Sequence, residues 1–227
     1  MKRGLSQETL KLIACLTMLL DHIGAVFMPG SVLRDIGRLS FPIFCFLLSE
    51  GVFHTRDPRK YALRLTLGMF LAELPFDFAF FGGIHWGHQN VMLTLLLGFL
   101  ALWAGKGLQR RGPLELLVAV PFVILGDVLC ADYGSMGVML ILLFGWTREM
   151  PYTSLFRFLG MLLLFGRSPG IAVLRLGGIA ITQQMLGAAA ILPISLYSGE
   201  KRTASKGVQL AFYLFYPVHL IALYLIA

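Results

Sequence analysis

Nine apolar runs, separated by clusters of charged and turn-forming residues, leave this chain few folds to choose from. A helix needs about 20 apolar residues to cross a bilayer. Reading the runs against their breakers predicts spans at 10–28, 39–54, 60–82, 90–104, 114–131, 134–147, 152–166, 171–195 and 208–226. The alternative over 134–166 is one long broken helix instead of two short ones. Breakers punctuate the pattern at Pro29–Gly30, Asp57–Pro58, Gly112–Pro113 and Pro169–Gly170. With 57% hydrophobic and 14% charged residues and a mean hydropathy of +0.78, the expectation is all-α: a polytopic membrane helix bundle of about nine transmembrane helices, forming a single integral membrane domain over residues 1–227. That composition excludes disorder and most soluble folds. A net charge of +7 would suggest a nucleic-acid partner in a soluble protein, but here the charges sit between apolar runs and topology explains them. No nucleic acid is expected, and membrane lipid is the expected surrounding. Cys15, Cys45 and Cys130 lie in apolar runs without metal spacing and read as small core residues, so no metal is expected. The first run lacks a small-residue exit and is followed by further spans, so no cleaved signal is expected.

Basic residues are retained on the cytoplasmic side of short loops. With the N-terminus cytoplasmic, that side collects Lys2, Arg3, Lys11, Arg56, Arg59, Lys60, Arg64, Lys106, Arg110, Arg111, Arg148, Arg157, Lys201, Arg202 and Lys206, which is 15 of the 19 Lys and Arg. Arg34, Arg38, Arg167 and Arg175 fall outside. The expectation is a multi-pass protein with its C-terminus on the outer side.

Ionisable groups at membrane depth are costly, and each is a functional candidate. Asp21–His22 sits about 16 Å along the first span from Lys11, at or beyond the midplane. Two readings stand: a structural cap paired to an arginine, and a histidine poised as general base. Arg38, near the same end of the next span, is the expected ion partner of Asp21. Glu50 and His54 are i and i+4, a spacing that suits either a carboxylate–imidazole pair or a solvated helix end. The loop from Thr55 to Arg64 holds Arg56, Arg59, Lys60 and Arg64, which positive-inside bias explains, and which would equally bind the phosphates of a cytosolic donor with Tyr61 stacking on its base. Glu73 and Asp77 share a face around Pro75; His85, Trp86, His88 and Asn90 read as an interfacial belt; Asp127, Asp132 and Tyr133 read as an acidic loop or an attraction for a cationic acceptor. Tyr216 and His219, i and i+3 beside Pro217, read as a cavity lining. Phosphate-binding, serine-hydrolase, metalloprotease and dinucleotide motifs do not occur.

Taken together, Leu10-Lys11-Leu12-Ile13-Ala14 through Asp21-His22-Ile23-Gly24, Gly37-Arg38-Leu39-Ser40-Phe41-Pro42-Ile43-Phe44, Glu50-Gly51-Val52-Phe53-His54-Thr55, Tyr61-Ala62-Leu63-Arg64-Leu65 and Phe212-Tyr213-Leu214-Phe215-Tyr216-Pro217-Val218-His219-Leu220 resemble the TraX family. The resemblance covers nearly the whole chain, loosely over 105–170, and departs at Ser198, where an asparagine is expected. The family's namesake is a membrane protein linked to N-terminal acetylation of F pilin, and the family is similar to multi-span membrane acyltransferases that use acetyl-CoA. The resemblance therefore implies a bacterial cytoplasmic-membrane acetyltransferase, with His22 as its catalytic histidine and Asp21, Arg38, Glu50, His54, Arg64, Tyr216 and His219 in the polar set.

Residues and resemblance agree on an expectation of acyl transfer. Acetyl-CoA docks its phosphates on Arg56, Arg59, Lys60 and Arg64 and threads its arm inward, and His22 takes the acceptor's proton or carries the acetyl group. The acceptor stays open between a pilin-like peptide N-terminus, an envelope sugar and a small amine. A proton-coupled transporter would also bury His, Asp and Glu, but no repeated half is visible. A non-catalytic assembly subunit is the third reading.

Overall fold

The computed structural model describes residues 4–108, 113–167, 171–177, 179–200 and 206–227. Lys2, Arg3, Arg110, Arg111, Gly112, Pro169, Gly170, Lys201 and Arg202 of the sequence reading lie outside the described residues. In chain order the helices are α1 (Gln7–Phe27), α2 (Val32–Gly37), α3 (Ser40–His54), α4 (Pro58–Phe81), α5 (Val91–Gly105), α6 (Pro113–Val128), α7 (Gly134–Trp146), α8 (Thr153–Gly166), α9 (Ile191–Ser195) and α10 (Lys206–Ile226). Between α8 and α9 come strands β1 (Ala172–Leu176) and β2 (Ile179–Thr182) and a 3₁₀ segment, Gln183–Ala190.

The starts and stops follow local chemistry. Ser6 Oγ accepts the Thr9 amide at 3.2 Å to cap α1, Asp57 Oδ1 accepts the Lys60 amide at 3.0 Å ahead of Pro58 to cap α4, and Asn90 Oδ1 accepts the Met92 amide at 2.9 Å to cap α5. Gly82, at φ +70°, takes the left-handed turn that ends α4.

Among the described residues three stretches are long and apolar enough to cross a membrane: Gln7–Phe27, Val32–His54, which runs through α2 and α3, and Gly207–Ile226. The helices α5 to α8 have 15, 16, 13 and 14 residues. At 1.5 Å per residue they reach about 20–24 Å, short of a hydrocarbon core of about 30 Å. The expected span at 171–195 is not one helix. Its first half is an antiparallel hairpin pairing Leu174 with Ile181 and Arg175 with Ala180. Val173, Ile179, Ile181 and Thr182 are β-branched, and Gly177 at φ +53° supplies the turn, so local preference overrides the apolar count. The expected single span at 39–54 also begins earlier, at Val32, with a break at Arg38–Leu39. The 134–166 region holds two helices, α7 and α8.

The contacts gather into two compact units, residues 1–47 with 150–227 and residues 48–149. In the first, α1 packs on α2 and α10, and α8 packs on the 3₁₀ segment. Lys11 lies over the Phe212 ring at 5.5 Å while His22 meets His219, so α1 and α10 run parallel. The segment after the hairpin spans the same height. Gln184 bonds Arg38, which contacts Asp21, whereas Leu196 and Ser198 bond Leu5 at 2.7 and 3.0 Å. From Leu5 to Asp21 is about 24 Å at 1.5 Å per residue. Eight 3₁₀ residues at about 2.0 Å each and five helical ones cover nearly the same distance. In the second unit α5 is the hub, packed on α4, α6 and α7, with Phe99 and Leu102 buried. A Cβ on Gly98 would lie 2.9 Å from that of Ile141, which is how α5 and α7 approach so closely. Cys15 and Cys45 are buried as expected, but Cys130 is exposed: it sits at φ +51° in the turn after α6, which ends at Val128, before the apolar run does.

Candidate functional site

The end of α1 in the first unit is organised around one carboxylate. Asp21 Oδ2 accepts from Arg34 Nη1 at 2.9 Å and Oδ1 from Arg38 Nη2. Arg38 also donates through Nε to the Arg34 carbonyl at 3.2 Å and through Nη1 to Gln184 Oε1 at 3.2 Å, while Gln183 Nε2 donates to Asp35 Oδ1 at 2.7 Å. The α1–α2 approach that permits this needs Gly37, where a Cβ would stand 2.7 Å from Asp21 Cα. The Asp21–Arg38 pair forms as the sequence reading expects. Arg34, which that reading places in an outer loop, joins it because it lies one turn before Arg38.

One residue on, His22 Nδ1 and His219 Nε2 are 2.7 Å apart. The ring planes differ by 11° and the centroids are 5.0 Å apart, exceeding the N–N separation by about a ring's width, so the rings meet edge to edge. His219 Nδ1 is 2.7 Å from the Phe215 carbonyl. A carbonyl only accepts, so His219 Nδ1 carries the proton and its Nε2 is the acceptor in the neutral ring. His22 Nδ1–H then donates to it, and the neutral tautomer selected for His22 holds its lone pair on Nε2. Tyr216 and His219 are each 7% exposed, and the Tyr216 ring centroid lies 6.2 Å from that of His22. Asp21, His22, Arg38, Tyr216 and His219 thus belong to one unit and two parallel helices with their α2–α3 partner.

The expected donor-binding residues all lie in the second unit. His54 Nδ1 donates to the Glu50 carbonyl at 2.7 Å and is 3.6 Å from Glu50 Oε2, while Glu50 Oε1 accepts from Arg148 Nε at 3.1 Å. The carboxylate therefore serves Arg148 more than His54, a partnership across 98 positions that no local spacing reveals. Tyr61 packs on Phe99 at 4.7 Å and under the Arg64 guanidinium at 5.4 Å, and a Cβ on Gly51 would meet its ring at 2.7 Å. Arg56, Arg59, Lys60 and Arg64 are exposed, with Lys60 paired to Asp57 at 3.2 Å. Amide capping by Lys60 holds the Asp57 carboxyl below the usual range.

Two further acidic residues of that unit have defined partners. Asp127 Oδ1 accepts the Ser135 amide at 2.7 Å, and Asp132 lies 3.4 Å from His88 Nε2, a hydrogen bond that raises the imidazole above its ordinary value. Trp86 is exposed. Among the described residues no cluster of three His, Cys, Asp or Glu is placed to hold a metal.

The TraX protein family model matches residues 6–227. A probable fimbrial assembly protein FimC (serogroup H1) of Dichelobacter nodosus is 32% identical over 93% of this chain and 91% of its own length. An uncharacterised protein of Rickettsia prowazekii (strain Madrid E) is 27% identical over 40% of this chain and 34% of its own. No solved structure matches.

Proposed function

This chain belongs to the TraX family and is a membrane protein; from that premise we propose that it is an acyltransferase of the bacterial cytoplasmic membrane, moving acetyl from acetyl-CoA to an amine or hydroxyl of a peptide or envelope acceptor. The observation that carries this reading is the hydrogen-bonded series His22–His219–Phe215 carbonyl, which sets the basic nitrogen of His22 as Nε2. Acyl transfer needs that group. As the acceptor nitrogen or oxygen bonds to the thioester carbon and the C–S bond breaks, His22 takes the acceptor's proton and returns it to the departing thiolate. In the covalent variant of the same chemistry, His22 Nε2 carries the acetyl group between the two half-reactions.

The Asp21–Arg34–Arg38 cluster fixes the end of α1 that bears His22, a positioning role. Phosphate recognition of the donor is assigned to exposed Arg56, Arg59, Lys60 and Arg64 at the start of α4, whose charge and fork geometry suit it. A relative described as a probable fimbrial assembly protein favours a pilin-like peptide amine as acceptor. Parallel α1 and α10, with residues 183–196 returning the chain to the level of Leu5, suit a multi-pass topology with the two termini on opposite sides; the distribution of Lys and Arg supports a cytoplasmic N-terminus.

The test is acetyl-CoA turnover in proteoliposomes, with free CoA release followed against a panel of amines. Wild type turns over, and His22→Ala falls by about 10²–10⁴ with circular dichroism unchanged. Turnover that survives His22→Ala would remove the histidine from the chemistry, and uptake of a solute without CoA release would replace the enzyme with a transporter.

A further inference from the structure

In α4, Glu73, Phe76, Asp77 and Phe80 follow the i, i+3, i+4, i+7 spacing of one helical stripe, so two carboxylates and two aromatic rings share a face. All four lie in the second unit, outside the histidine cluster. Asp77 is 2% exposed, and Glu73 is half-buried. Each commits one oxygen to the segment after the helix. Asp77 Oδ2 accepts the His85 amide at 2.9 Å; Glu73 Oε2 accepts the Asn90 amide at 3.3 Å and also its side-chain Nδ2. The other oxygens, Asp77 Oδ1 and Glu73 Oε1, are sealed from solvent with no donor among the described residues.

Two donorless carboxylate oxygens one turn apart are unfavourable twice over, through lost hydrogen bonds and through like-charge repulsion. A cation removes both costs, and its class follows from what surrounds it. Calcium takes six or more oxygens and magnesium keeps several of its waters, whereas here two oxygens are on offer and both are closed to solvent. A primary ammonium brings three N–H donors and tolerates aromatic faces. The rings are present: Phe76 lies 5.1 Å from Phe80 and 5.9 Å from Phe81, with His88 5.7 Å from Phe76 and His85 4.1 Å from Phe81. The nearest titratable pair on the loop side, His88 with Asp132, is already matched.

We propose that the Glu73–Asp77 face of α4 is a binding site for a primary alkylammonium ion, the group shared by free amines and by the amino terminus of a peptide. The proposal stands whether or not the chain transfers acetyl groups. The test uses the purified full chain in detergent micelles at fixed ionic strength, titrated with n-butylammonium, sodium, calcium or tetramethylammonium chloride. Intrinsic fluorescence reads this unit directly, because Trp86, Trp103 and Trp146 all lie in it. The expected result is that n-butylammonium raises the unfolding temperature more than the other three, and that Asp77→Asn and Glu73→Gln each weaken its apparent affinity about tenfold or more. A peptide with a free amino terminus competes if the ligand is a peptide, and its acetylated twin does not; competition by neither identifies a free amine. Equal shifts by sodium and n-butylammonium, a stronger response to calcium, or affinity retained in both variants overturns the proposal. So does a protonated-carboxyl infrared band that is lost in Asp77→Asn while n-butylammonium has no effect, since the pair would then be completed by a proton. If neither variant folds, the comparison of cations on wild type decides alone.

Discussion

Asp21→Asn removes one negative charge while keeping the side chain's shape, and the two guanidiniums it faces make the cost calculable. The Asp21 side chain is 12% exposed, that of Arg38 11% and that of Arg34 27%. Removing one partner of a buried ion pair costs about 3–5 kcal/mol, because the other charge stays buried without its counterion. Two facts pull the figure to the lower end: Arg38 keeps the Arg34 carbonyl and Gln184 as acceptors, and Arg34 is partly hydrated. The expected loss is about 3 kcal/mol, or about two powers of ten in the unfolding equilibrium. Equilibrium unfolding in mixed detergent micelles, followed by circular dichroism, measures it. Tryptophan fluorescence would miss the event, since all three tryptophans lie in the other unit. A second variant isolates the cause. Asp21→Asn combined with Arg38→Met leaves one positive charge, the same net charge as the native cluster, and is expected to recover more than half of the loss. A single variant within about 0.5 kcal/mol of wild type, or a double variant less stable than the single, would refute the buried-charge argument.

Gly37→Ala places a methyl 2.7 Å from Asp21 Cα, a backbone atom that cannot swing aside, so α1 and α2 must separate; a loss of about 1–3 kcal/mol is expected, read as a lower melting temperature. His88, raised by its hydrogen bond to Asp132, favours its folded position while protonated. That contribution is complete below the ordinary histidine value of about 6.5 and fades as pH rises through the higher folded value. Amide exchange in residues 83–89 should therefore quicken from pH 6 to pH 8 beyond the intrinsic base-catalysed change, and Asp132→Asn should abolish the excess. Arg56→Glu with Arg59→Glu is expected to raise KM for acetyl-CoA about tenfold at low salt with kcat retained, the gap narrowing as ionic strength rises; an unchanged KM would remove these residues from donor recognition.

What the sequence makes legible here depends on range. Asp21 and Arg38 fall at the same end of consecutive antiparallel runs, so their meeting follows from the runs alone, and Arg34 was available from the same spacing, one turn earlier. Tyr216 and His219 read as inward-facing because a helix face is a local property. That His219 meets His22, 197 positions away, depends on α1 and α10 lying parallel in register, which periodicity does not encode. The engagement of Tyr61 by Phe99, and of Glu50 by Arg148, is hidden for the same reason. Residues 171–195 mislead through composition: an apolar count cannot distinguish a buried helix from a hairpin, and the cues that could, a Gly–Gly pair amid β-branched residues, are short.

The 3₁₀ segment Gln183–Ala190 changes what length errors this chain can absorb. It has three residues per turn, so adding or losing one residue between Gly187 and Ala190 would swing Gln183 and Gln184 by about 120° and shift them by about 2 Å, away from Asp35 and Arg38. Losing three would restore the facing but shorten the climb by about 6 Å, pulling against the attachment of Leu196 and Ser198 to Leu5. This stretch behaves as a gauge bar, tolerating changed side chains far better than a changed count.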